Sequence, residues 1–197
     1  MSFISRYKIV LTHQKARLDL ISSMMISLAF FTYITAIPFV YLTVFEISEF
    51  TFSILFAINV LALMAAHFIN SKLVVRKGSR AMLSYGVLLS IVASTALVMV
   101  SYWQLSLIFT LVTVIPLMGS ISMIAVNADS LVLSEFAEQS GTATAVIGTL
   151  RFGIGALAGP ILAVFYDGSS LPFALLMWSS VLVVLMCQVM IKVKHLD

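Results

Sequence analysis

Arg151 is the residue with most chemistry to account for, because it stands inside an apolar run, GTATAVIGTLRFGIGALAGPILAVF (141–165), long enough to cross a bilayer. A cation at the bilayer centre costs about 2.5–3.5 kcal/mol even on lenient insertion scales, so it is expected to face a bundle interior or a wet cavity. Gly148, Gly155 and Gly159 fall on the same side of a helix as Arg151, with Pro160 next in line. The Gly155/Gly159 pair makes the small-xxx-small pattern that lets two transmembrane backbones approach closely. Gly148, Gly155, Gly159 and Pro160 are therefore read as helix-packing positions, and Arg151 as facing a polar interior.

Asp129 is read as the one carboxylate in or beside a span. At 1.5 Å per residue it lies about 6 Å from the cytoplasmic end of its helix, against about 15 Å for Arg151, so Arg151 is expected to meet polar side chains, carbonyls or water first. Asn59 and Asn70 lie about 20° apart around one helix, with His67 nearby. His67 is either a proton relay or a hydrogen-bonded packing residue near the cytoplasmic end. Enzyme readings fare poorly. An intramembrane serine protease needs a buried serine with a histidine on a neighbouring helix, and the stretch holding Gly119, Ser120 and Ser122 is followed by no histidine in the remaining spans. Neither a nucleotide-binding loop nor a metal-ligand spacing occurs, so the expectation is no catalysis, no metal and no cofactor.

The chain that must position these groups is 61% hydrophobic and 10% charged with a mean hydropathy of +1.13, far from a soluble domain with about a quarter of its residues charged. Six runs are long enough to span about 30 Å of hydrocarbon: 20–42, 52–75, 81–100, 105–133, 142–165 and 173–191. The fold class is all-α integral membrane, with a basic segment 1–19, a six-helix membrane bundle 20–191 and a tail 192–197. Ser48 and Ser170 with Pro172 are helix-start signals, and Pro38 and Pro116 are expected to bend their helices. The single cysteine, Cys187, rules out a disulfide framework, and the first apolar run is too long for a signal-peptide core, so no segment is expected to be removed.

Ten of the eleven basic residues lie in the segment before span one (Arg6, Lys8, Lys15, Arg17), the link between spans two and three (Lys72, Arg76, Lys77, Arg80) and the tail (Lys192, Lys194). The opposite links carry only Glu46, Glu49 and Asp167. Both termini are thus expected in the cytoplasm, and the +3 net charge is a topology signal rather than a sign of nucleic-acid binding.

AFFTYITAIPFVYL (29–42), FAINVLALMAAHFINSKLVVRKGSRAML (56–83) and GTATAVIGTLRFGIGALAG with DGSSLPFAL after it resemble the carboxy-terminal half of the Bcr/CflA (bicyclomycin-resistance) drug:proton antiporters of the major facilitator superfamily. The resemblance implies one six-helix half of a twelve-span transporter that exchanges protons for small amphipathic drugs across the bacterial inner membrane. Its partner would be a matching amino-terminal half or a second copy. It places Thr32, Tyr33, Thr35, Phe39, Asn59 and Arg151 on a substrate cavity, for which the plainer alternative is interhelical packing. The superfamily's cytoplasmic-loop motif survives as Leu73, Arg76, Gly78 and Arg80, with Ser71 and Val75 in place of its glycine and aspartate. Gly155, Gly159 and Pro160 look like the antiporter motif, and Arg151 stands where glutamine is expected. The proton-titrating carboxylate is expected in the other half. A truncated frame, a split transporter and a self-pairing half stay open, as does a non-transporting membrane fragment or structural partner subunit.

Overall fold

The computed structural model describes residues 9–194, so Arg6, Lys8 and the tail beyond Lys194 lie outside the described residues. Among the described residues, six helical segments are long and apolar enough to cross a membrane. Helix α1 (Gln14–Phe39) runs into a π-helical segment, Val40–Val44, and is followed by α2 (Glu49–Lys77), α3 (Ser79–Tyr102) and α4 (Leu107–Glu135). After a 3₁₀ turn, Ala137–Gln139, the fifth span is made of α5 (Ser140–Gly155) and α6 (Ala158–Val164), and α7 (Leu171–Val193) closes the bundle.

The spans start and stop within a few residues of the expected limits except at the front, where α1 begins at Gln14, capped by the His13 ring accepting from the Ala16 N–H. Lys15, Arg17 and Asp19 thus belong to the helix, because long basic side chains can carry their charge to the interface while the backbone stays helical. Ser48 caps α2 by accepting from the Thr51 N–H. Ser170, expected to do the same for α7, makes no capping bond. Ser169 takes its place, its hydroxyl accepting from the Leu171 N–H while its own N–H and hydroxyl donate to Asp167. Those bonds, the hydroxyl's first, hold the Asp167 carboxyl below its ordinary range. Gly78 joins α2 to α3 at φ +79°, a conformation that side chains disfavour.

The fifth span departs from the single helix expected over 142–165. Pro160 has no N–H to give to the Ala156 carbonyl and its ring crowds that carbonyl, so the helix stops at Gly155 and restarts at Ala158. Pro116, by contrast, sits within an unbroken α4, and Pro38 lies just ahead of the π-helical widening.

At the centre of the bundle α1 packs on α4, α5, α6 and α7, and α4 packs on α3. The core between them includes Ile26, Tyr33, Ile37, Leu117, Ile121, Met177 and Val184. The α3–α4 contact is tight: a Cβ added to Gly86 would lie 2.8 Å from Ile124. Gly155 is filled by the Phe31 ring, which leaves no room for a Cβ. The other expected packing glycines differ: a Cβ on Gly159 would make only an ordinary 3.9 Å contact with Thr35, and one on Gly148 would meet nothing within 4 Å. The tight approach within this chain therefore lies at Gly86 and Gly155, not along a 155/159 seam.

A leucine at Gly86 or at Gly155 is expected to lower stability by about 1–3 kcal/mol through overpacking, and one at Gly148 to be close to neutral. Thermal unfolding in detergent, followed by size-exclusion, reads the difference; equal losses at all three positions would contradict this packing.

Candidate functional site

A cavity of about 390 Å³ opens between α1, α2, α4 and the α5 part of the fifth span, within the range of small-molecule sites. Its polar lining consists of Ser27, His67, Ser122, Asp129 and Arg151, and Phe30, Phe31 and Phe152 supply aromatic surface. The Phe31 ring meets Phe30 and Phe152 edge-on, with centroids 5.7 and 5.8 Å away.

Arg151 and Asp129 form an ion pair through Nη2 and Oδ2, correcting the expectation that their depths keep them apart. Helix α4 runs on to Glu135, which places Asp129 about 9 Å from its end, while Arg151 is about 16 Å from the start of α5 at Ser140. The remaining depth is closed by side-chain direction. In a helix each Cα–Cβ bond tilts toward the N-terminus, so on successive antiparallel spans the two side chains lean toward each other. Helix α1 completes the arrangement: the Ser23 hydroxyl donates to Asp129 Oδ1 at 2.6 Å and Arg151 Nε donates to Ser27 Oγ at 3.3 Å. The Arg151 and Asp129 side chains remain 32% and 22% exposed, so the pair borders the cavity instead of being sealed within the core.

His67 stands about 15 Å from the Lys77 end of α2, deeper in the span than expected, and its Nε2 is 2.6 Å from the Ser122 hydroxyl. A serine–histidine pair across helices thus exists, which removes the premise used against protease chemistry. The chemistry still lacks its second half: Ser122 sits inside α4, where neighbouring backbone N–H groups are committed to helical bonds and cannot stabilise an oxyanion. Asn59 and Asn70 are the two buried residues of α2, and Asn70 accepts from Asn127 of α4 at 2.7 Å. The asparagine face is how α2 sits on the bundle.

The six expected cavity residues separate. Arg151 lines this cavity. Thr32, Tyr33 and Asn59 are at most 1% exposed and lie in the packed interior, where Tyr33 stacks on Phe56 with centroids 6.3 Å apart. Thr35 and Phe39 border a different cavity of about 420 Å³ toward the Asp167 end, where Phe39 meets Tyr166 edge-on.

A second ion pair escaped the sequence reading. Asp19, counted there with the basic segment, is 2% exposed and takes a bidentate bond from Arg80, at 2.6 and 2.8 Å. Gln188 of α7 accepts from Arg80 and donates to Asp19 and Ser22, so α1, α3 and α7 are tied at one point. Of the four loop-motif residues, Arg80 makes this pair and Gly78 makes the turn, while Leu73 and Arg76 lie on the exposed end of α2. A run of small and acidic residues in α1 (Asp19, Ser22, Ser23, Ser27) was the available signal, since serines beside a carboxylate within a span serve few purposes other than polar contact across helices.

Arg80→Ala leaves the Asp19 carboxylate buried and unpaired, a loss expected toward the lower end of about 3–5 kcal/mol. Asp19→Asn should cost less, because the Arg80 side chain, 27% exposed, still reaches water. Chemical unfolding of the two variants in mixed micelles checks the order, and a larger loss for Asp19→Asn would reverse the assignment of which charge is trapped.

The sequence profile of the Major Facilitator Superfamily matches residues 2–191. The chain is 25% identical over 189 residues to a protein of Haemophilus influenzae named bicyclomycin resistance protein homolog, a match that covers 93% of this chain and 46% of that protein. It is also 25% identical over 134 residues to an uncharacterized MFS-type transporter, YdgK, of Bacillus subtilis, covering 68% of this chain and 33% of that protein. The chain spans less than half the length of these curated relatives. With six membrane-spanning segments and a profile match over almost all of its residues, this chain belongs to the Major Facilitator Superfamily.

Proposed function

We propose that this chain is one six-helix half of a multidrug efflux transporter that exchanges protons for small amphipathic drugs across the bacterial inner membrane. The observation that carries the reading is the uncovered side of the cavity. Two residues that line it, His67 and Phe152, are exposed, and of the apolar stretch of α2 only 6% is buried, against 61% for that of the first span. A second bundle laid against α2 and the fifth span would close the cavity at the midplane, where transporters built of paired halves hold substrate. That bundle is a matching amino-terminal half or a second copy. The relative named for bicyclomycin resistance supports a drug as cargo, and the three phenylalanines offer surface to a flat apolar molecule.

Transport by alternating access then needs both halves, one rocking against the other about the closed site. In cells stripped of their own exporters, co-expression with a matching amino-terminal half is expected to give proton-dependent efflux of a cationic dye, and residues 1–197 alone are expected to give none. Efflux by the single chain would overturn the half-site reading; no efflux with any partner would overturn the transport reading and leave a structural subunit. The positive-inside distribution further predicts that a reporter fused after residue 197 faces the cytoplasm. A periplasmic signal from it would contradict this topology.

A further inference from the structure

We propose that Tyr33, Tyr41 and Asn59 form an internal hydration site, in which an ordered water joins α1 and its π-helical extension to α2 inside the membrane. Tyr33 and Asn59 are 1% exposed and Tyr41 is fully buried, and the two hydroxyls and Asn59 Oδ1 have no hydrogen-bond partner among the described residues. Buried polar atoms are rarely left in that condition, and three of them together call for a ligand. The Tyr41 hydroxyl lies beside the Asn59 amide with Tyr33 near it. Tyr33 stacks on Phe56, Tyr41 meets Phe52 edge-on with centroids 6.2 Å apart, and Phe52 and Phe56 pack on each other at 5.8 Å. These rings hold the two phenols in place.

The direction of the amide is set by its other end. Asn59 Nδ2 donates to the Leu55 carbonyl at 3.0 Å, so turning Oδ1 into that position would set oxygen against oxygen. An acceptor is thereby held beside the tyrosine pair without a direct bond to it, and polar groups that lie near one another without bonding are where a bridging water belongs. A water there donates to Asn59 Oδ1 and to one phenol oxygen and accepts from the other hydroxyl, about three bonds, the number that buried waters typically make. An ion would be desolvated with no opposing charge among the three groups, so the ligand is neutral. Two features of the chain place the site. Tyr41 belongs to the π-helical segment Val40–Val44, where the Phe45 N–H reaches back to the Val40 carbonyl and the Ile47 N–H to that of Tyr41, and such widened turns recur at functional sites. Asn59 stands about 15 Å from the Glu49 end of α2, and it and Asn70 are the two buried residues of that helix. Asn70 is met directly by Asn127. Helix α2 is thus tied to the bundle by a direct amide bond at one asparagine and a bridged one at the other, whether or not the chain transports.

Synchrotron X-ray footprinting of the chain in lipid nanodiscs tests the site, because hydroxyl radicals form from water where it stands and oxidise the side chains beside it before they diffuse. Tyr33 and Tyr41 are expected to be oxidised about fivefold faster than Met118, whose thioether is intrinsically more reactive but is buried in the apolar core. Asn59→Leu removes the fixed acceptor and is expected to lower both tyrosine rates by about threefold; Tyr41→Phe, which keeps the ring and its packing, is expected to do the same at Tyr33. Size-exclusion in detergent establishes which variants fold, and Tyr41→Phe decides the matter if Asn59→Leu does not. Tyrosine oxidation no faster than that of Met118 would overturn the proposal. So would an unmoved Tyr33 rate in a folded Tyr41→Phe chain, since the ring would then be reached by transient opening and not by a resident water.

Discussion

Carboxylates inside an apolar bundle must find a cation or lose their charge, and this fold meets that demand twice, both times against α1. Asp19 of α1 takes Arg80 from α3, and Asp129 of α4 takes Arg151 from α5 with both partners bonded to serines of α1. The two pairs do different things. Asp19 is buried and held by a fork of bonds from Arg80 that is shared with Gln188, so that pair sets where α3 and α7 stand relative to α1. An arrangement of this sort contributes register more than net stability, since desolvation offsets much of the attraction. The Asp129 pair has fewer bonds and borders the cavity, with side chains 22% and 32% exposed.

The spans could be read from the sequence because hydrocarbon thickness fixes their length, and the turns because short polar clusters interrupt them. Which face of each span is buried could not be read in the same way. In water, apolar periodicity separates core from surface, but lipid is as apolar as leucine and the pattern vanishes. Tyr33 and Phe39 show the consequence: six residues apart on α1 and similar in character, one is buried against Phe56 and the other borders a cavity. Polar residues kept their information. Asn59 and Asn70, which a helical wheel places on one side, are the two residues by which α2 is buried.

Arg151 and Asp129 were both visible as residues out of place, yet their pairing was not, because depth counted along the axis ignores the tilt of side chains toward each helix N-terminus. Asp19 was lost for a different reason. A boundary drawn at the first unbroken apolar run puts it in the cytoplasm, although a helix that starts at Gln14 brings it within reach of Arg80. Glycines need contacts to be interpreted: the 155/159 spacing suits two close backbones, but within this chain the space at Gly155 holds the Phe31 ring, and Gly86, which no spacing pattern singled out, lies tight against Ile124.

The break after Gly155 gives the Asp129–Arg151 pair mechanical weight. Helix α5 touches α4 only sparingly and leans mainly on α1, and at its far end the chain is no longer continuous helix but a joint at 156–157 imposed by Pro160. The ion pair is thus a principal tie between α4 and α5, one turn ahead of that joint. Phe31, seated at Gly155, holds the joint end of α5 against α1, so the ion pair and this seat fix the helix at two points along its length.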